Sequence, residues 1–364
     1  MVKNILVFSD EIPPAGGGSG IVAKKITENY IENGFNVTLL SGDEADYNTS
    51  NLKHLRVKRI TFLWVLAYGY AILRNKKINS FDIIIINDQM SAYLAGIFFT
   101  KKQLNKCTVI IHGRDSNFFF NSKSLKNSIF LFSKFYTRAI THCNKIVAVS
   151  RWTQDEYLQH LPKTINNITN KISWHFAGID KSDLFGGIFN NDLKNSSLEN
   201  KQILISVGRL VHRKGYFEMI DFFSKGIAAN KNLIWLIVGD GPERNALELK
   251  VIEMGLKKSI LFIGKVPRNT LSEWYLLADA FWLFSKIEPY GLVYLEAASC
   301  NLPSLGPKQG GVKEAIVENV TGFYMDENVD LNRMLNKCIE LKKTKKPSTY
   351  ADTISTMKFS SYLL

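Results

Sequence analysis

The stretch GGIFNNDLKNSSLEN, residues 186–200, decides how the 364-residue chain is divided. It is polar and rich in Asn, Ser and Gly, the composition of a linker rather than of a packed element. On its N-terminal side, short apolar runs at residues 5–8, 36–40, 82–87, 108–112 and 145–149 alternate with helical patterns. Beyond it the alternation restarts, with runs at 202–207, 233–238, 260–263, 280–284 and 303–306. Such alternation is the pattern of a parallel, doubly wound sheet with helices on both faces. The fold read from it is α/β. Two Rossmann-like domains, 1–185 and 201–340, are joined by the linker and face each other across a cleft, with a helical tail at 341–364. Sheets of this kind bind ligands at the carboxyl ends of their strands, so function is sought there.

Composition narrows the class. The chain is 46% hydrophobic and 22% charged, as in soluble globular proteins. Its four cysteines, Cys107, Cys143, Cys300 and Cys338, form no C-x-x-C and have no His at ligand spacing. Reduced thiols in the cytoplasm are expected, not a disulfide frame or a zinc site. The N-terminus runs directly into a strand pattern, so no signal peptide is expected. The longest apolar stretch, residues 60–73, falls short of the roughly 20 residues that a bilayer-spanning helix requires.

The net charge is +13, and the excess lies in the first half, with 23 Lys/Arg against 14 Asp/Glu through Asp183. Two tracts there contain no acidic residue: 47–81, with seven Lys/Arg, and 116–154, with six. Aromatics are interleaved with the charges, as in Phe118, Phe119, Phe120, Phe130, Phe132, Phe135 and Tyr136. Basic side chains among aromatic rings suit an anionic membrane surface. A nucleic acid, or a core helix with a solvated basic face, is the competing reading.

A glycine-rich loop, PPAGGGSGIVA at residues 13–23, matches the dinucleotide pattern G-x-G-x-x-G/A on paper. The mechanism behind that pattern needs the first glycine to turn the chain directly off the strand, so that the helix N-terminus meets a pyrophosphate. Here the apolar run ends at Phe8 and two prolines intervene before Gly18. The loop is read instead as a flexible lip over the cleft, where Gly17 and Gly18 have no side chains to obstruct a bound phosphate.

The second half carries the chemistry. In SVGRLVHRKGYFEMIDFF, from Ser206, Arg209 and Lys214 occupy the loop between a strand and a helix, where two cations suit a diphosphate. In LIVGDGPER a strand runs into a turn at Gly241, and in FIGKV the turn around Val266 offers backbone groups to a planar base. The sharpest segment is SKIEPYGLVYLEAA, residues 285–298. Pro289 bars a helix before it, so a helix opens at Gly291 and runs to about Ser299. Glu288 then sits in the loop and Glu296 on the second turn, with the amides of Gly291, Leu292 and Val293 in the first turn, open to an anion. A nucleotide sugar requires that set: acceptors for sugar and ribose hydroxyls, donors for phosphate.

These segments resemble the retaining glycosyltransferases of family 4, which have the GT-B fold and an E-x7-E motif. The resemblance covers residues 203–326 in order and spacing, including LPSLGPKQGGVKEAIVENVTGFYMD, and is thinner in the first half, through HGRD at 112–115, VAVSRWTQDEY and FAGID. It implies that Glu288 faces the donor sugar hydroxyls and Glu296 the ribose. Arg209, Lys214 and the amides at Gly291, Leu292 and Val293 would neutralise the leaving diphosphate, and His112 would line the sugar and acceptor side. The tail would return to the first domain. The donor would be UDP- or GDP-linked, with no cofactor and no metal, in keeping with the lack of any D-x-D in the sequence. Expected partners are a saccharide or lipid-linked acceptor and an anionic membrane surface, not nucleic acid. The setting would be bacterial surface polysaccharide synthesis on the inner face of the cytoplasmic membrane. Two alternatives share these features in part: a nucleotide-sugar epimerase of the same architecture, and a non-catalytic membrane or nucleic-acid binding module.

Overall fold

A computed structural model describes residues 3–13, 17–42, 52–58, 63–74, 78, 80–113, 119–120, 130–179, 184–185, 198, 200–326, 329–354 and 356–364. The chain forms two compact units: 1–177 together with 356–364, and 178–355. The division falls at Ala177/Gly178, ahead of the expected linker at 186–200, nearly all of which lies outside the described residues.

The N-terminal unit holds a sheet of seven described strands: β1 (Asn4–Phe8), β2 (Asn36–Gly42), β3 (Leu52–Val57), β4 (Ile83–Ile86), β5 (Cys107–Ile111), β6 (Lys145–Ala148) and β7 (Ile172–Trp174). Their order is β3-β2-β1-β4-β5-β6-β7, parallel throughout. Helices α1 (Gly18–Glu32), α2 (Trp64–Arg74), α3 (Gln89–Phe98), α4 (Phe132–His142) and α5 (Arg151–Gln159) cross between strands. In a strand such as IIII at β4, Ile84, Ile85 and Ile86 are all buried because helices cover the parallel sheet on both faces.

The C-terminal unit repeats the plan with six described strands: β8 (Gln202–Val207), β9 (Leu233–Val238), β10 (Ile260–Gly264), β11 (Ala280–Trp282), β12 (Ser304–Gly306) and β13 (Gly322–Tyr324). Their order is β10-β9-β8-β11-β12-β13. Its main helices are α6 (Tyr216–Ala229), α7 (Arg244–Glu253), α8 (Leu271–Leu277), α9 (Leu292–Ser299), α10 (Leu331–Lys343) and α11 (Lys346–Ala351). The last helix, α12 (Thr356–Leu363), belongs to the N-terminal unit. There Tyr30 and Asn29 of α1 donate to the Ser360 carbonyl (2.9 Å) and hydroxyl (3.2 Å), and Phe359 and Leu363 are buried.

Each sheet reverses direction once. The chain builds outward from β1 through β2 to β3, then places β4 on the other side of β1; likewise β11 is placed on the other side of β8. The loops leaving the two central strands therefore diverge, and the gap between them is where an α/β sheet accepts a ligand.

Candidate active site

In the C-terminal unit the reversal lies between β8 and β11, and both loops carry the expected residues. After β8 the chain passes Gly208 and Arg209, makes a 3₁₀ turn at His212–Lys214, and enters α6 through Gly215. Arg209 is exposed, and among the described residues its side chain has no ion-pair partner. Lys214 is buried, and its Nζ pairs with Oε2 of Glu288, also buried, in the loop after β11. A lysine ammonium is tolerated at 6% exposure only with such a partner.

Three loops are bonded to one another around this pair. The Lys286 amide donates to the Arg213 carbonyl (2.8 Å), and Nη1 of Arg213 to the Ile287 carbonyl (3.1 Å). The Gly311 amide donates to the Glu288 carbonyl (2.8 Å), and Nε2 of Gln309 to the Ser285 carbonyl (3.1 Å). Gly311 has to be glycine, because a Cβ there would lie 2.1 Å from the Pro289 carbonyl oxygen.

Gly291 opens α9 in the left-handed region, at φ 82°, with no side chain capping the helix. A Cβ on it would stand 2.7 Å from the Tyr294 ring and 3.2 Å from Cγ of Glu288. The Glu288 side chain thus runs beside the start of α9, where Gly291, Leu292 and Val293 present the first-turn amides expected to face an anion. Cation, carboxylate and helix N-terminus meet where the loops after β8 and β11 come together.

Glu296 lies deeper, 2% exposed on the second turn of α9. Both its oxygens are engaged: Oε1 accepts from Nη2 of Arg268 (2.8 Å) and Oε2 from the Tyr275 hydroxyl (3.0 Å). Each carboxylate oxygen keeps a second lone pair, so a further donor can still be accepted. The other expected turns are positional. The Gly241 amide donates to Oδ1 of Asp240 (2.7 Å) and its backbone packs on that of Leu210, while Val266 is half-buried against the core of the unit.

Sequence reasoning missed three side chains here. Arg268 and Tyr275 hold Glu296. Tyr216, one position after Gly215, is 1% exposed and its hydroxyl has no hydrogen-bond partner among the described residues. A Cβ on Gly208 would lie 3.5 Å from that hydroxyl and 3.8 Å from Cε of Lys214, so it sits on the Lys214 side of the strand end. Burial first, and then the Glu288 carboxylate, raise its pKa, so the phenol keeps its proton and can donate. The signal in the sequence was a tyrosine directly after the cationic loop.

His112, Gly17 and Gly18 stand in the N-terminal unit, apart in the chain's division from the rest of the set. Gly17 caps α1 and Gly18 begins it; residues 9–17 separate β1 from α1, so the tight strand-to-helix turn of a dinucleotide site is absent at this point. The helix start is occupied internally, since Oε2 of Glu11 accepts from the Gly17 amide (3.4 Å) and the Ser19 hydroxyl (3.0 Å).

Beside this loop, Nδ2 of Asn87 donates to the Ser19 carbonyl (2.9 Å) and to the Ser9 hydroxyl (3.0 Å). A carbonyl only accepts, so Oδ1 of Asn87 faces His112 at 3.2 Å, and Nε2 of His112 carries the proton. Burial pulls the His112 pKa from 6.5 down to about 4. The neighbouring Asp88 is pushed the other way, from 3.8 to about 6, by burial and then by Asp10. The His112 contribution to stability is complete above pH 6.5 and is lost as pH falls through about 4. The Asp88 contribution has the opposite sign, present below pH 3.8 and lost as pH rises through about 6. The difference in denaturation midpoint between the wild type and His112→Gln isolates the first. The wild type should lose ground to the variant on acidification through this window, and a difference that stays flat with pH would sink the assignment.

Comparison with known proteins bears on the whole chain. Residues 16–170 match the model described as Glycosyltransferase Family 4, and residues 189–353 that of Glycosyl transferases group 1. The GPI3 subunit of phosphatidylinositol N-acetylglucosaminyltransferase from Saccharomyces cerevisiae is 24% identical over 232 residues, 62% of this chain and 50% of that one. The chain thus spans about half the length of that relative. N-acetyl-alpha-D-glucosaminyl L-malate synthase of Bacillus anthracis is 25% identical over 344 residues, covering 91% of this chain and 86% of its own. Anabaena Alr3699/HepE, solved in complex with UDP and glucose, superposes with a TM-score of 0.75 at 17% identity over 99% of this chain and 98% of its own. The chain belongs to the family 4 glycosyltransferases, and its fold is GT-B.

Proposed function

We propose that the protein transfers a sugar from a UDP- or GDP-linked donor to a saccharide or lipid-linked saccharide acceptor, with retention at the anomeric carbon and without a metal. The setting is bacterial surface polysaccharide assembly, with the protein held peripherally on the cytoplasmic face of the membrane. The observation that carries the reading is the buried Lys214–Glu288 pair beside the uncapped start of α9.

Breaking the bond between the anomeric carbon and a nucleoside diphosphate leaves growing negative charge on the departing phosphate, so stabilising that charge is the main catalytic demand. An ammonium has three donor hydrogens, so Lys214 can serve a phosphate oxygen while keeping Glu288. Arg209 and the amides of Gly291, Leu292 and Val293 add donors from the other sides. Glu288 is assigned the sugar hydroxyls, and Glu296, with Arg268, the ribose. Gly241 and Val266 are assigned to the nucleotide, and His112, Gly17 and Gly18 to the sugar and acceptor side. The departing phosphate then takes the acceptor proton on the face it leaves, which accounts for retention.

A panel of UDP-, GDP- and ADP-sugars tested for binding, followed by transfer assays with the donor that binds, checks the reading. Isomerised donor formed without any acceptor would replace it with an epimerase. Tyr216→Phe adds a finer test. Removing a buried hydroxyl that has no partner among the described residues should leave stability unchanged or slightly higher, while kcat/KM falls by about tenfold if the phenol donates to ligand. Unchanged kinetics would remove Tyr216 from the site.

A further inference from the structure

The two basic, aromatic tracts of the first half part company in the structure. Among the described residues of 116–154, Phe119, Phe132 and Tyr136 are buried, with Phe120, Phe130 and Phe135 half-buried against the same core, and Phe119 stacks on Tyr136 with centroids 4.2 Å apart. Those aromatics build the core, so the membrane reading of that tract gives way to the core-helix alternative. In 47–81, α2 does the reverse. Leu63, just ahead of the helix, and Leu66, Tyr70 and Leu73 on it are 50%, 65%, 63% and 71% exposed. Spacings of three, four and three residues put all four on one stripe. The opposite side is anchored, with Tyr68, Gly69 and Ile72 buried, and Gly69 directly against the Phe98 ring.

We propose that this stripe is the surface by which the protein docks on an anionic lipid bilayer; the proposal rests on the peripheral-membrane reading above. The charges favour lipid over a protein partner. Across 47–81 there are seven Lys/Arg and no Asp/Glu, so nothing in the tract repels an anionic surface. Lys58 and Arg74, both exposed, bracket the stripe in the sequence. Arg74 lies 5.6 Å from the Tyr70 ring centroid and donates to its hydroxyl at 2.8 Å, an arrangement with an apolar ring inward and a cationic, hydrogen-bonding end at headgroup level. With 11 residues, α2 lies in the interface and does not cross it, and no helix among the described residues is long and apolar enough to span a membrane.

The test is co-sedimentation of the full chain with phosphatidylcholine vesicles, with and without phosphatidylglycerol, at low and high salt. Wild type should bind the anionic vesicles and release with salt. Leu66→Asp/Leu73→Asp should weaken binding by at least about tenfold. Leu249→Asp/Ile252→Asp, on the exposed side of α7 in the other unit, should bind as wild type does. All four leucine and isoleucine positions are exposed, so thermal melts should be unchanged; if the aspartates do perturb them, Leu66→Ala/Leu73→Ala gives the same readout in a milder form. Wild type and the α2 variant binding equally would overturn the assignment of α2 while leaving peripheral attachment intact. Failure of the wild type to bind at low salt would overturn both. Dimerisation of the wild type that the α2 substitutions abolish, without vesicle binding, would make the stripe a protein interface and overturn the proposal.

Discussion

Lys214→Ala should reduce sugar transfer by about 10²–10³-fold in kcat, the usual cost of removing one donor from a developing anion. It should also destabilise the protein by about 3–5 kcal/mol, because Glu288 is left as a buried charge without its cation. The two losses are separable. In Lys214→Met/Glu288→Gln both charges are replaced by neutral groups of similar size, and exchanging a buried pair in this way is often neutral for folding. The double variant should therefore melt close to the wild type and remain inactive. Undiminished transfer in Lys214→Ala, or recovery of activity with stability in the double variant, would contradict the role given to the pair.

Gly311→Ala should be nearly as damaging, although residue 311 reaches no substrate in this scheme. Its Cβ would fall 2.1 Å from the Pro289 oxygen and 2.8 Å from the Glu288 oxygen, where backbone cannot yield without moving the loop. The hydrogen bond from the residue 311 amide to the Glu288 carbonyl would be lost as the loop moved. Displacing a positioned group by about 1 Å can cost about 10²-fold in rate, and that is the expected loss in kcat/KM. Gly17→Ala is the contrasting case, since a Cβ there meets nothing within 4 Å among the described residues. It should change stability by less than about 0.5 kcal/mol. If Gly17 gives room to the donor or acceptor, its variant loses transfer with the fold intact; equal turnover would free that glycine of its role.

The strands missing from the sequence reading show what patterning can and cannot see. β3, β7 and β13 had no counterpart among the apolar runs, and all three are sheet edges. A central strand of a covered parallel sheet is apolar throughout, as at β4 and β9. An edge strand is short or half-exposed, and LKHLRV at β3 mixes charges with leucines. The basic tracts failed in the opposite way. Phe119 and Leu66 both sit among Lys and Arg in the sequence, yet one is buried and the other exposed. Composition has no term for which side of a helix meets the sheet.

By itself the sequence determined the class of fold, two α/β units, because strand and helix periods are local properties of the chain. It also determined that Glu288 lies in a loop and that a helix opens at Gly291, because Pro289 and Gly291 restrict the backbone wherever they occur. The tertiary structure alone decided that Lys214 is neutralised by Glu288, 74 positions away in sequence, that Arg268 and Tyr275 hold Glu296, and that the Tyr216 phenol is buried without a hydrogen-bond partner among the described residues. Those facts depend on the jump that places β11 beside β8. Contacts between residues so far apart follow from strand order, and a strand's own residues do not specify its neighbour in the sheet.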